Sequence, residues 1–93
     1  KFQNITIDLS KQIILQNNSE YKINNTEKTI LEEMINNPGK IFAREEIGKL
    51  INLDKERSID VIITRLRKKI EINPKNPKFL QTIRGSGYVL WIE

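Results

Sequence analysis

The sequence predicts an α+β fold in which a small antiparallel sheet is followed by three helices and closed by a β-hairpin. Three observations predict it. Short apolar runs separated by turn residues fill positions 2–23, apolar residues at helical spacing recur in three segments between 24 and 72, and two apolar arms flank Gly85-Ser86-Gly87. With 93 residues and 38% apolar content, one core is available, so residues 1–93 are expected to form a single domain.

In order along the chain, FQNITIDL, QIILQ and EYKI read as three strands, with Asn17-Asn18-Ser19 as the turn between the last two. Asn24 then opens a helix, because Glu27 stands three residues on, as in a capping box, and Ile30, Leu31 and Met34 line one face. That helix stops near Asn36-Asn37-Pro38-Gly39. After an extended step from Lys40 to Phe42, a second helix is predicted from about Arg44 to Ile51, with Ile47, Leu50 and Ile51 facing inward. Ala43 stands at its cap position, where Ser or Thr would be better by about 1 kcal/mol. NLDKER reads as a polar connection, and a third helix is predicted from Ser58 to about Ile72, ended by Pro74 and Pro77. The hairpin, over 78–93, is expected to pack through Leu80, Ile83, Tyr88 and Leu90, its glycines allowing the loop's positive φ angles.

Composition narrows the function. There is no cysteine and no histidine, which suits a reducing cytoplasm and removes the commonest general base and metal ligand together. No nucleophile with a matching base can be assembled, so neither an enzyme nor a bound cofactor is expected. The longest apolar run, Tyr88 to Ile92, is far short of the roughly 20 residues of a membrane span. The net charge is +4, and its placement says more than its sum: residues 1–46 carry six Lys and Arg against seven Asp and Glu, residues 47–93 ten against five. A basic half on a small domain points to a polyanion, nucleic acid before membrane surface. Four of the five arginines, Arg57, Arg65, Arg67 and Arg84, fall in that half, where a planar bidentate donor does what lysine cannot.

On the third helix, Ile59, Ile63, Leu66 and Ile70 fall on one side, which is core. Opposite them lie Arg57, Val61, Thr64, Arg65 and Lys68, with Asp60 and Arg67 on one flank and Ile62 and Lys69 on the other. An ordinary solvated face would carry Glu beside Lys and would rarely expose Val61. The mixture of cations, a hydroxyl and a small aliphatic suits a major groove, where Arg bonds guanine, Thr or Val meets a thymine methyl and Lys binds phosphate. Arg84, at the base of the terminal turn, is placed to enter a narrow minor groove.

RSIDVIITRLRKKI followed at short range by LQTIRGSGYVL closely resembles the effector domain of OmpR/PhoB-type response regulators, and TEKTILEEMINNPGKIFAREEI looks like that family's first two helices. The resemblance covers essentially the whole chain. It implies a winged helix-turn-helix with a four-stranded N-terminal sheet, a third helix in the major groove and a hairpin wing at the adjacent minor groove or backbone. Arg57, Thr64, Arg65 and Lys68 match DNA-facing positions, Arg84 matches the wing arginine, and Thr82 and Tyr88 match wing positions that contact phosphate. With Val61 and Arg67 these complete the expected DNA-binding set. The resemblance also implies tandem dimers on direct repeats, a receiver domain elsewhere in the full chain, and a loop that in some members meets RNA polymerase, here Asp54, Lys55 and Glu56. Docking on RNA polymerase or on a receiver through that loop is the alternative function. Thr64 stands where a basic residue is frequent in the family, and Ile62 where histidine is, so base preference does not carry over.

Overall fold

Three short strands come first: β1 (Ile5–Asp8), β2 (Ile13–Gln16) and β3 (Ser19–Lys22), paired antiparallel in the order β1-β2-β3. The computed structural model describes residues 5–53 and 56–91, with Glu56 described by its backbone alone. Register explains the sheet's two faces. Ile7 lies opposite Ile14 and Ile14 opposite Tyr21, on the side that packs inward, while Thr6, Leu15 and Glu20 share the exposed side. The four-stranded N-terminal sheet implied by the family resemblance is three-stranded among the described residues.

Helix α1 (Asn25–Asn36) begins where its local chemistry dictates. The Asn24 side chain accepts from the Glu27 amide at 2.8 Å, and Glu27 Oε1 accepts from the Asn24 amide at 3.0 Å, so two otherwise orphaned donors are satisfied reciprocally. Strand β4 (Ile41–Phe42) leads into helix α2 (Arg44–Ile51). Ala43 offers no side-chain acceptor at the cap, yet Glu46 Oε1 still accepts from the Ala43 amide at 3.0 Å, so half of a capping box survives.

Helix α3 spans Glu56–Ile70, two residues earlier at each end than the sequence predicts. Four residues therefore separate α2 from α3, a spacing within the usual range for a helix-turn-helix. Asn52 takes a left-handed conformation with φ 56°, and the Leu53 amide bonds back to Gly48 O at 2.8 Å. A Cβ on Gly48 would stand 2.2 Å from Leu53 O, so the closeness of this turn requires glycine. Because α3 ends at Ile70, Ile72 is left outside the core and 57% exposed.

The closing hairpin, β5 (Leu80–Ile83) and β6 (Gly87–Leu90), gains β4 as a third strand in the order β4-β6-β5. Strand β6 is thus central, and Val89, which is not among the hairpin residues expected to pack inward, is completely buried, while Ile83 is only half-buried. Gly87 permits this pairing, since a Cβ there would stand 2.0 Å from Phe42 O. The core gathers Ile5, Ile14, Ile30, Leu31, Ile47, Leu80 and Leu90 around Ile59, Ile63, Leu66 and Ile70, the inward face expected of α3. None of the described helices is long and apolar enough to cross a membrane.

Two buried carboxylates tie the layers together. Glu27 is 3% exposed and meets Lys69 Nζ at 2.8 Å, and the same ammonium donates to Lys22 O at 2.8 Å, joining α1, α3 and β3. Glu71 is 2% exposed and accepts from the amides of Lys78, Phe79 and Leu80 at 2.8, 3.0 and 2.7 Å, which fixes the entry to β5. Gln16 Nε2 donates to Lys69 O and Glu71 O at 3.1 and 3.0 Å, so the N-terminal sheet holds the end of α3.

Candidate nucleic-acid interface

Because α3 buries one stripe at i, i+4, i+7 and i+11, its opposite stripe must face out, and Arg57, Val61, Thr64, Arg65 and Lys68 are all exposed there. Val61 is 44% exposed, an apolar side chain set among cations. Thr64 Oγ1 donates to Asp60 O at 2.8 Å, which spends its proton within the helix and leaves the methyl and the oxygen lone pairs outward. Ion pairs among the described residues are Lys40–Glu46, Arg44–Asp60 and Lys69–Glu27. Arg57, Arg65, Lys68 and Arg84 have none there. Arg84 is exposed in the wing loop between Ile83 and Gly85, whose φ of 80° shapes the turn.

Three other residues of the expected DNA-binding set meet one another where α3 packs against the wing. Arg67 Nε donates to Leu80 O at 2.8 Å, its Nη2 donates to Thr82 Oγ1 at 2.5 Å, and its guanidinium lies 5.5 Å from the centre of the Tyr88 ring. Tyr88 is 5% exposed, and its hydroxyl donates to Asp60 Oδ1. Burial first, and the Asp60 carboxylate second, hold the Tyr88 phenol above its ordinary pKa, so it remains a donor through neutral pH. The same Oδ1 accepts from Arg44 Nε at 2.9 Å. The Arg44 guanidinium is pushed up in turn, by Tyr88 first and then by Asp60.

Arg44 and Asp60 were not singled out as site residues from the sequence. The available signal was one carboxylate on the flank of an otherwise basic helix surface. Asp54 and Lys55, two of the three candidate polymerase contacts, lie outside the described residues; Glu56 is the first residue of α3, and its side chain also lies outside them. Among the described residues there is no group of three or more His, Cys, Asp or Glu that could hold a metal.

A small N-terminal sheet, three helices with four residues between the second and the third, and a closing wing define a winged helix-turn-helix domain. The chain belongs to the family described as transcriptional regulatory protein, C terminal, which matches residues 18–90, and it is of the OmpR/PhoB type. Family members are transcriptional regulators, not enzymes. The probable transcriptional regulator ycf27 of Cyanidium caldarium is 37% identical over 98 residues, covering 96% of this chain and 39% of that protein. Thus the chain spans about two fifths of the length of that relative. The response regulator DrrB of Thermotoga maritima, an OmpR/PhoB homologue, superposes with a TM-score of 0.84 at 28% identity, over 98% of this chain and 43% of its own. The RstA DNA-binding domain of Klebsiella pneumoniae, solved in complex with the RstA box, gives 0.78 at 27% identity, over 98% of this chain and 94% of its own.

Proposed function

We propose that the chain binds double-stranded DNA sequence-specifically, as the effector domain of a two-component response regulator, with α3 in the major groove and Arg84 at the neighbouring minor groove. The observation that carries the proposal is the exposed face of Arg57, Val61, Thr64, Arg65 and Lys68, whose cations lack an ion-pair partner among the described residues. The DNA-bound RstA domain, so similar in fold, supports it. Lys68 sets register on phosphate, Arg65 and Thr64 read base edges, and Arg84 responds to groove width. By family likeness, the full-length protein binds direct repeats as tandem dimers in the cytoplasm and carries a receiver domain.

Selection from random duplex DNA, followed by titration of the winner and a scrambled duplex at two salt concentrations, tests the proposal. A repeated short motif is expected, bound at least about 1,000-fold tighter than the scrambled sequence, with affinity falling steeply as salt rises. Equal, weak binding of both duplexes would leave these cations as general electrostatics and sink the reading.

A further inference from the structure

We infer that Asp60 is a positioning residue that, held by Arg44 and Tyr88, fixes the wing relative to α3 so that Arg84 and Arg65 meet DNA in register. The inference rests on the DNA-binding reading above and assigns a task within it. One carboxylate oxygen on α3 receives Arg44 Nε from α2 at 2.9 Å and the Tyr88 hydroxyl from β6. Two turns further along α3, the contact is continued by Arg67, which reaches β5 at Leu80 O and Thr82 Oγ1 and lies over the Tyr88 ring. Three elements therefore converge on Asp60, and the hairpin that carries Arg84 is gripped on both of its strands.

Magnitudes favour positioning over stability. The Asp60 and Arg44 side chains are 37% and 45% exposed, and exposed pairs of this kind add little to folding. A bare carboxylate beside a phosphate-facing helix surface repels its ligand. Bound to Arg44 its charge is compensated, and its direction is set by two donors from separate elements. What remains is geometry, and a reader that touches two grooves depends on the angle between its two contacts.

The test is a double-mutant cycle on the selected duplex, with R84A introduced into wild type, D60N and R44Q. Circular dichroism at the titration temperature checks that each variant is folded. In wild type, R84A is expected to weaken binding about tenfold, and in both variant backgrounds by about twofold or less, because a wing already out of register has little left to lose. D60N raises the net charge and R44Q lowers it, so a simple field effect moves the two backgrounds in opposite directions, whereas loss of register moves both the same way. A purely structural pair lowers the melting temperature and leaves the R84A factor untouched. The inference is overturned if R84A costs the same factor in all three backgrounds or nothing in wild type. A wild type that does not distinguish the selected from the scrambled duplex overturns the DNA-binding reading and this one together.

Discussion

The two sides of helix α3 treat charge in opposite ways. Towards the N-terminal sheet and the loop into β5, Lys69 and, just past the helix end, Glu71 are bonded to named partners and mostly withdrawn from water. On the outward face Arg57, Arg65 and Lys68 stand in solvent with no ion-pair partner among the described residues. Arg67 lies between the two regimes, half-buried and turned to the wing. The contrast teaches that basic character alone does not mark a binding residue on this helix. What separates architecture from interface is whether the fold has already given the charge a partner.

If that division is right, substitutions on the inner side cost stability and those on the outer side cost recognition. The largest effect is expected from E71A, which takes the buried charged acceptor away from three backbone donors, one of them, the Leu80 amide, itself buried. A loss of about 4 kcal/mol is expected. In a domain of this size that lowers the thermal midpoint by roughly 15 °C or more in a melting experiment. Next comes K69M, which preserves the aliphatic stem but strands the Glu27 carboxylate in the interior. Denaturant titration should show a loss of about 3 kcal/mol, and the double variant K69M/E27Q should recover part of it.

The outer face should behave in reverse. R65A is expected to leave the denaturation midpoint nearly unchanged while removing about 2 kcal/mol of discrimination between the selected and a mismatched duplex. An equal fall in stability would erase the distinction between the two sides. K68A is expected to weaken all duplexes alike and to make the salt dependence shallower by about one counterion, read from affinities at several salt concentrations.

The smallest effect concerns Glu46, whose carboxyl is held below the ordinary glutamate range, first by the Ala43 amide and then by Lys40. Since the folded value is lowered, its contribution is present above the unfolded glutamate value and disappears as pH falls through the folded one. Acid unfolding of E46Q should therefore lack that part of the pH dependence while matching wild type in form elsewhere.

Local chemistry was legible in the sequence, and contacts over longer distance were not. Asn24 and Glu27 announce the start of α1 because both halves of the capping box lie within four residues. Ile59, Ile63, Leu66 and Ile70 reveal the buried stripe of α3 because helical periodicity is intrinsic to the chain. Glu71, by contrast, looks like one more solvated acid near a helix end, and only the fold brings three amides from seven to nine residues downstream onto it. Gly48 is equally silent, since its need for glycine comes from Leu53 O crossing a turn. Val89 was missed for a topological reason. In a two-stranded hairpin β6 has an open edge at that position, and pairing with β4 closes it, leaving Val89 flanked by a strand on each side. For the candidate interface, the outward residues of α3 were readable from periodicity, whereas Arg67, Thr82 and Tyr88 needed the structure before their contacts to one another could be seen.

DNA is expected to meet the outward face of α3 and the wing tip. The most direct test is to titrate the isotope-labelled domain with the selected duplex and follow backbone amide resonances. Shifts should concentrate on residues 57–68 and on Gly85 and Ser86, and β1 to β3 should stay close to their free positions. Shifts centred on the N-terminal sheet, with α3 and the wing unmoved, would place the DNA-binding surface elsewhere and overturn the proposed interface.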